Sequence, residues 1–565
     1  MIALVVLVSM LVFLAGYRLY GGFLARRMKL DDSRQTPAWE INDGVDYVPA
    51  KAPLLLGQHF SAIAAAGPIV GPILAAVWFG WLPALLWVLV GAIFIGGVHD
   101  FSSLVASIRH KASSIGEIVK QYMSPTSHIL FLTFVWFALV YVIIAFTDIT
   151  AQTFKTVTAD AAFGPAVATS SVLYLLLGVL MGILLYKFRV NLWVATAIFL
   201  PLVLVTVWVG TRLPESMISL MLGIPLKHWE VGLLVYCFVA SLVPMWLLLQ
   251  PRGYLGGWLL YLTIATGLIG ALFGGFHVQY PALNLDGLRG LETGKLVFPL
   301  LFITVACGAC SGFHGIVSSG TTSKQLYRES DARSVGYGSM LLEGLVAVLA
   351  LATVMMLPKG AAILKGDPNF IYANGLARYL GLVGVNFNIA LAFALLAFST
   401  FVYDTLDVCT RLARYILQEL LGWKTRVGAF VATFVTLLLP FAFLMLTKQK
   451  GYLAAWPIFG TSNQLLASLI LLAISIWLIK SGRNATYTLV PMAFMMAVTM
   501  WSLVLQILPF FRSIPDMLGG RGIARDALIS GTCGTILFVL SVWLIWEAIA
   551  TLVLRPAKEK TKATV

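Results

Sequence analysis

Long apolar segments alternate with short polar segments along almost the whole chain. A helix rises about 1.5 Å per residue, so roughly 20 apolar residues cross the hydrocarbon core of a bilayer. The pattern predicts fifteen such spans, with the shortest links at Gly80–Trp81 and near Phe188. The spans lie near residues 2–20, 60–79, 82–99, 130–148, 169–187, 190–210, 231–249, 256–275, 297–318, 338–357, 384–403, 427–446, 460–480, 488–508 and 530–553.

The composition agrees with a membrane protein. Hydrophobic residues make up 60% of the chain and charged residues 11%, whereas a soluble globular chain is about 25% charged. We therefore expect an all-α integral membrane protein with about 15 transmembrane helices. The basic residues near the first apolar segment follow it rather than precede it, which favours a retained helix over a cleaved signal peptide.

The net charge of +14 has two interpretations, nucleic-acid binding and the excess of basic residues in cytoplasmic loops of membrane proteins. Counting alternate loops favours the second, because one set of loops holds 24 of the 38 Lys and Arg. This set includes the C-terminal tail, so the N-terminus is expected outside and the C-terminus in the cytoplasm. We therefore expect the lipid bilayer, and not a nucleic acid, as the partner of this protein.

Two predicted spans contain residues that interrupt helices. Residues 57–75 (GQHFSAIAAAGPIVGPILA) contain Gly67-Pro68 and Gly71-Pro72, and residues 307–315 read CGACSGFHG. Proline removes a backbone donor, and glycine leaves helical geometry easily. Within a membrane, a broken helix is tolerated where it is buried in protein or lines a wet cavity. The alternative is a purely structural kink.

The broken spans are the second and the ninth, an odd offset, so equivalent helices cross the membrane in opposite directions. The spans two places further on both end in polar residues, with Asp148 in one and Asp404 and Asp407 in the other. Inverted repeats with broken helices in matching positions indicate a secondary transporter with its site between the repeats. Coincidence remains the alternative for the aspartates.

The breaks expose backbone N–H and C=O groups that can hold a small polar solute and its coupling ion. The residues expected to bind substrate are Gly67, Pro68, Gly71, Gly308, Ser311, Gly312, His314, Ser318, Ser319 and Thr321. Ionisable residues in spans are functional candidates because they are expensive in lipid. Those expected to act in ion coupling or gating are His59, His99, Asp100, Asp148, Glu343, Asp404 and Asp407.

Each ionisable candidate also has a structural alternative. Histidine as a residue type titrates near neutral pH, which makes His314 a candidate, but a backbone carbonyl would also satisfy it. His99 and Asp100, with Arg109 after them, suit either a cytoplasmic gate or an interfacial ion pair. For Asp407, Arg411 lies at helical spacing as a simple partner.

Other polar residues have equally simple alternatives. Asn463 offers hydrogen bonds, while Thr461 or Ser462 beside it would cap a helix. The C-x-x-C at Cys307 and Cys310 would suit a metal in a soluble loop, but within a span small-residue helix packing is favoured. No metal and no cofactor are expected. Enzyme motifs such as HExxH and GxSxG are absent from the sequence.

Five segments together resemble the carbon starvation protein A family: GQHFSAIAAAGPIVGPILAA, GGVHDF, CGACSGFHGIVSSGTTSKQ, LDVCTRLARYILQE and WPIFGTSNQLLA. The resemblance implies a bacterial inner-membrane transporter of pyruvate, with protons, or of small peptides. It also implies a five-plus-five inverted-repeat, leucine-transporter-like core with peripheral helices. Many members have two histidines before the Phe where this chain has Gln58-His59, so a proton role for the first does not carry over.

We therefore expect secondary active transport by alternating access, not enzymatic activity. The substrate is pyruvate or a similar small carboxylate, with di- and tripeptides or amino acids as alternatives. Protons are the favoured coupling ion and Na⁺ the alternative; a channel and a sensor are the other protein classes considered. The oligomeric state is not predicted. The expected division is an N-terminal helix and loop at 1–56, repeats at 57–210 and 297–480, linking helices at 211–296, and C-terminal helices and tail at 481–565.

Overall fold

The computed structural model describes residues 1–44, 47–158, 161–290, 297–447, 451–518 and 525–553, and most of them are helical. The helices of the first half are α1 (Ile2–Ala15), α2 (Gly22–Met28), α3 (Pro37–Glu40), α4 (Ala52–Ile63), α5 (Gly67–Phe79), α6 (Trp81–Gly91), α7 (Gly97–Arg109), α8 (Ile115–Tyr122), α9 (Pro125–Thr153), α10 (Phe163–Tyr186), α11 (Leu192–Gly210), α12 (Glu215–Gly223) and α13 (Leu226–Leu242).

The helices of the second half are α14 (Leu249–Phe273), α15 (Leu285–Leu288), α16 (Val297–Thr304), α17 (Ala306–Ala309), α18 (Gly312–Gly320), α19 (Ser339–Met355), α20 (Pro368–Gly381), α21 (Phe387–Leu421), α22 (Arg426–Leu446), α23 (Gly451–Lys480), α24 (Thr486–Leu518) and α25 (Arg525–Val553). Short π-helical segments join α1 to α2 and α6 to α7. The β-pairing among the described residues consists of two isolated bridges.

Twelve helices in the described ranges are long and apolar enough to cross a membrane. The number is fourteen if two bent pairs, α4 with α5 and α12 with α13, each count as one span. Residues 297–320, where the ninth span is predicted, form three short helices of 8, 4 and 9 residues. The structure therefore confirms an all-helical membrane protein, but with fewer long spans than the fifteen expected.

The link predicted at Gly80 is a sharp turn between two helices. α5 ends at Phe79, α6 begins at Trp81, and Gly80 between them has a φ of 93°, a backbone conformation that favours glycine. A Cβ at Gly80 would also overlap the carbonyl oxygen of Ala282. Glycine therefore permits both the turn and the close approach of the segment before α15.

The prediction of a loop at residues 250–255 is wrong, because α14 already begins at Leu249. Arg252, counted among the loop charges, lies in the first turn of α14 and is 1% exposed. A buried guanidinium needs charged partners, and carboxylates on α21 provide them. The helix of the predicted eleventh span continues well beyond residue 403: α21 has 35 residues, and Asp404 and Asp407 lie near its middle.

The outer helices show how the chain meets lipid. On α22 the large side chains of Val427, Phe430, Phe434 and Leu438 are exposed and share one face at helical spacing. Its opposite face, with Thr433 among others, is buried. By contrast, α19 and α21 are buried over most of their length, so the polar residues on them lie inside the helical assembly.

Candidate functional site

The first break lies between α4 and α5, at residues 64–66, where the axis bends by 49°. Gly67 and Gly71 face the other broken segment: a Cβ on Gly67 would overlap Cys307, and one on Gly71 would overlap the carbonyl oxygen of Thr304. These glycines allow α5 to lie directly against α16 and α17. The helices beside the two breaks therefore lie in direct contact with each other.

The second break lies at Cys310 and Ser311, which have extended backbone between α17 and α18. Asn463 on α23 bridges it. Its side-chain oxygen accepts a hydrogen bond from the backbone N–H of Phe313 at 3.0 Å, and its amide nitrogen donates to Ser311 Oγ at 2.9 Å. This satisfies a donor that the break would otherwise leave unpaired. Thr461 and Ser462 lie inside α23, so the predicted helix cap is wrong.

Four residues predicted as functional candidates come together in one cluster, His99, Asp100, His314 and Glu343, which we call the histidine–carboxylate cluster. His99 Nδ1 lies 2.7 Å from Asp100 Oδ1, and His314 Nδ1 lies 2.8 Å from Asp100 Oδ2. On its other side, His314 Nε2 lies 3.2 Å from Glu343 Oε2. All four side chains are 0% exposed. They join α7, α18 and α19, so the second break is linked to two long helices.

The position of His314 determines what the cluster can hold. Both of its ring nitrogens face carboxylate oxygens, but a neutral imidazole has only one N–H. Either the ring carries two protons or a neighbouring carboxylate carries one, because a bare nitrogen against a carboxylate oxygen is repulsive. Unpaired buried charge is also costly. These contacts therefore require an additional proton, on the ring or on a neighbouring carboxylate. The alternative that a carbonyl satisfies His314 is wrong.

A second set of buried charges, the arginine–aspartate cluster, consists of Arg252, Asp404, Asp407 and Tyr236. Arg252 Nε lies 2.7 Å from Asp404 Oδ1, and its Nη1 contacts both Asp407 Oδ2 and the Tyr236 hydroxyl. The Tyr236 hydroxyl also donates to Asp407 Oδ2 at 2.6 Å. One guanidinium thus faces two carboxylates from α21.

Further contacts hold this cluster in place. Ser61, on α4 just before the first break, donates a hydrogen bond to Asp404 Oδ2. Gly256 follows Arg252 by one helical turn, and a Cβ there would overlap Asp404 and Ser61. Tyr174 on α10 donates to the carbonyl oxygen of Arg252 at 2.7 Å. The first broken helix, α14 and α21 therefore meet at one ion-paired point.

A central cavity of about 30 Å³ lies between both broken helices, α14 and α21. Polar groups from each element line it. The lining polar residues are Gln58, His59, Arg252, Thr321, Thr322, Gln325 and Asp404. His59 Nδ1 lies 2.8 Å from Thr322 Oγ1, which ties the two broken segments together across the cavity. The cavity thus combines one positive group, a carboxylate and neutral hydrogen-bonding groups.

The remaining predicted residues have more local contacts. The hydroxyls of Ser319 and Thr321 donate to the carbonyls of Gly315 and Val317 in their own helix, although Thr321 also lines the cavity. Ser318 is fully buried in α18. Asp148, near the end of α9, accepts a hydrogen bond from Gln152. Gly308, expected to bind substrate at the second break, packs against Ala347 instead of lining the cavity.

Pro68 and Gly312 also lie at the breaks. Pro68 is buried in the first turn of α5. Gly312 opens α18 and packs against the backbone of α23, where a Cβ would lie 2.5 Å from Ala467 N. Both residues therefore place helix ends, and their predicted part in substrate binding stays a prediction.

Two arginines that follow these acids in the chain have other partners. Arg411, the structural alternative as a partner for Asp407, donates to the carbonyl oxygens of Ala240 and Val243 instead. Arg109, which follows His99 and Asp100, pairs with Glu329 at 2.6 Å. In each case the partner comes from a distant part of the chain, because buried groups pair with whatever packing brings opposite them.

Sequence reasoning missed Arg252 and Tyr236. The signal for Arg252 was present: an arginine beside glycines at 253, 256 and 257, next to an apolar run. Tyr236 has no such signal, because a tyrosine in an apolar segment is ordinary. Its role follows only from its contact with Asp407.

A separate group of ligand-type side chains lies on α8, α9 and the end of α21. Ligand atoms of Glu117, His128 and Glu419 lie within 4.8 Å of one another. Hydrogen bonds and ion pairs account for the group, since His128 Nε2 lies 3.0 Å from Glu419 Oε1 and Lys120 pairs with Glu117 at 3.1 Å. No metal function follows from it.

The fold and the two buried clusters define a multi-pass membrane protein with ionisable groups held at a pair of broken helices, an arrangement suited to transport. Residues 1–372 and 359–502 match the family described as Carbon starvation protein CstA. The chain belongs to this family, and it is a membrane transporter.

Similar proteins carry transporter names. The Peptide transporter CstA of Helicobacter pylori J99 is 33% identical, with 89% of this chain and 82% of the relative covered. The Pyruvate/proton symporter BtsT of Escherichia coli K12 is 32% identical, with 91% and 82% covered. Among solved structures, a mutant manganese transporter of Eremococcus coleocola is 14% identical, covers 90% of this chain and 99% of its own, and has a TM-score of 0.45.

Proposed function

We propose that this protein takes up a small carboxylate such as pyruvate across the bacterial inner membrane, together with protons, by alternating access. The observation that supports the proposal is His314, held between Asp100 and Glu343 at the second break. Its protonation changes the attraction among α7, α18 and α19, because each contributes an ionisable member. A proton bound from outside therefore alters how these helices pack.

Protons suit this cluster better than Na⁺. Sodium is a hard cation that binds oxygen ligands, whereas two of the four groups here are imidazoles, whose ring nitrogens bind protons and offer no oxygen ligand. The hydroxyls of Ser319 and Thr321, which could offer oxygen ligands to sodium, already donate to backbone carbonyls, although their lone pairs remain available. The chemistry of the buried groups therefore favours a proton symporter.

The substrate site in this proposal is the central cavity, extended along the broken helices when one bundle rocks against the other. Both broken helices, with α14 and α21, line it, which agrees with a site between two inverted repeats. The repeats are proposed as residues 57–210 and 297–480, with the N-terminus outside and the C-terminus in the cytoplasm. Channel activity would need an open pore instead.

Peptide uptake is the second candidate, and the names of similar proteins favour it. One group of similar proteins is named as peptide transporters and another as a pyruvate/proton symporter, at almost equal identity. Pyruvate and a dipeptide share a free carboxylate. The cavity's guanidinium suits that group in either substrate, so the two candidates differ in the rest of the pocket.

The test is uptake of labelled pyruvate by purified protein in liposomes, with proton and sodium gradients imposed separately. We expect accumulation above equilibrium with an inward proton gradient and none with a sodium gradient alone. Protein-free liposomes control for passive entry of pyruvic acid. Accumulation of labelled alanylalanine but not pyruvate would select the peptide candidate, and sodium-driven accumulation would contradict proton coupling.

A further inference from the structure

In the arginine–aspartate cluster, the carboxylate of Asp404 lies where a substrate carboxylate could bind Arg252. Arg252 and Asp404 both line the central cavity, whereas Asp407 lies behind them against Tyr236. The carboxylate of Asp404 therefore occupies the side of the guanidinium that faces the cavity. A substrate carboxylate that enters the cavity meets the same donor atoms.

The two aspartates are held differently. Asp407 Oδ2 has an aligned hydrogen bond from Tyr236 in addition to its contact with Arg252. Asp404 Oδ1 lies 2.7 Å from Arg252 Nε but is not aligned with it as a hydrogen bond. The Nε–H of Arg252 therefore has no aligned hydrogen-bond acceptor. Because guanidinium binds planar carboxylates through two parallel N–H groups, a substrate can use this donor better than Asp404 does.

The charges around Arg252 require compensation when an anion arrives. Asp404 and Asp407 already exceed its single positive charge. Among the described residues, the other ionisable groups that face the cluster are Tyr236 and Cys237 from α13, Tyr174 from α10, His59 from α4, and Tyr403 and Arg411 on α21. Arg411 is engaged with carbonyl oxygens. A third carboxylate is therefore accommodated most easily if one of the three takes up a proton.

We propose that Arg252 anchors the substrate's carboxylate, and that Asp404 is a built-in competitor which the substrate displaces and which then takes up a proton from the cavity. This inference deepens the proposed function and rests on its carboxylate substrate. Asp407 stays paired with Arg252 and Tyr236 throughout. Ser61, which now donates to Asp404, has lone pairs that accept a hydrogen bond from the protonated acid.

The displacement gives substrate binding a pH dependence of defined sign. At alkaline pH Asp404 is ionised and competes for Arg252, so the substrate binds weakly. At acidic pH Asp404 is protonated and releases Arg252, so the substrate binds more tightly. Asp404→Asn removes the competing charge and keeps the shape of the side chain. This variant should therefore bind pyruvate more tightly than wild type at alkaline pH. Its own affinity for pyruvate should be almost independent of pH.

The experiment is equilibrium binding of labelled pyruvate to purified full-length protein in lipid nanodiscs, with neutral pyruvamide as competitor. Asp404→Asn should raise the affinity about tenfold at alkaline pH, equivalent to about 1.4 kcal/mol. Arg252→Lys should lower it about tenfold or more, because an ammonium lacks the bidentate fork. Pyruvamide should compete poorly with pyruvate in wild type.

A matched control separates this role from a structural one. Glu547→Gln removes a carboxylate that bonds Ser124 on the periphery, far from the cluster in the fold. This variant should bind pyruvate like wild type. A gain of affinity in Asp404→Asn cannot come from damaged folding. Should Arg252→Lys fail to fold, Asp404→Asn decides alone.

Several results would overturn the inference. Folded Asp404→Asn with unchanged or weaker binding contradicts the competitor role, and wild-type affinity in Arg252→Lys contradicts the anchor. If wild type binds pyruvate but no proton gradient drives uptake, proton coupling fails and the anchor stands. If it binds only alanylalanine, the same variants are compared with that probe and its C-terminal amide. Binding of neither probe by folded wild type contradicts the inference.

Discussion

At the scale of single residues, function depends on contacts between residues far apart in the chain. His314 attracts interest in the sequence because it is ionisable within an interrupted span. Its partners Asp100 and Glu343 come from α7 and α19, on either side of it in sequence. In the proposed function, the pair of carboxylates around one imidazole makes this histidine a proton-binding centre. Without them, the ring would be an ordinary buried polar group.

His314→Gln should abolish accumulation driven by a proton gradient while the protein stays folded. Glutamine can hydrogen-bond to both carboxylates but does not titrate. The measurement is uptake in liposomes beside a size-exclusion profile of the same preparation. Glu547→Gln, which changes a peripheral side chain, should accumulate substrate like wild type. Normal gradient-driven accumulation in His314→Gln would remove the histidine–carboxylate cluster from the mechanism.

How far the sequence predicts the site depends on the type of residue. Ionisable groups in apolar spans can be selected from the sequence, because each one is costly without a partner. The sequence therefore singled out His99, Asp100, His314 and Glu343 but not their connection. Arg252 escaped because it stands next to the end of an apolar run, where a loop is equally consistent. Only the packing of α14 on α21 shows that it is buried.

At the scale of helices, the two broken segments are held together by small residues and by one amide. Gly67 and Gly71 bring α5 against α16 and α17, and Asn463 satisfies the backbone donor at the second break. Glycine, proline and the period of the apolar pattern predict where helices break. The residues that hydrogen-bond to the exposed backbone at a break, such as Asn463, come from distant parts of the chain. They can be identified only from the three-dimensional structure.

Gly71→Ala should destabilise the protein and lower transport. The added Cβ overlaps the carbonyl oxygen of Thr304, and overpacking of this kind costs about 1–3 kcal/mol. The thermal midpoint of the purified protein and its uptake rate are the measurements. Gly232→Ala on α13 is the matched control, since no atom lies within 4 Å of its added Cβ. Equal behaviour of the two variants would contradict close packing of the broken helices.

At the scale of the whole molecule, the proposed orientation determines which loops lie outside the cell and which lie in the cytoplasm. The alternation of basic loops predicts the region before the second repeat outside and the segment after α18 inside. Asp286 and Ser330 are exposed residues in these two regions. The overall count of spans is less predictable than their apolar nature, because a segment such as 297–320 is apolar but broken.

Cysteine labelling tests this orientation. Four of the five native cysteines are buried, and Cys533 is partly exposed and is first replaced by serine. An impermeant maleimide should then label Asp286→Cys in intact cells and Ser330→Cys only after permeabilisation. Labelling in the reverse order would invert the proposed topology, with the N-terminus inside.

The measurement that tests proton symport most directly is proton movement caused by substrate. Liposomes containing the protein and a trapped pH-sensitive dye are placed in sodium-free buffer at the same pH inside and outside. Labelled pyruvate is then added outside. We predict that the interior acidifies as pyruvate enters, with at least one proton per pyruvate above the rate in protein-free liposomes. Protein-dependent pyruvate entry without acidification, or entry that needs sodium, would contradict proton symport.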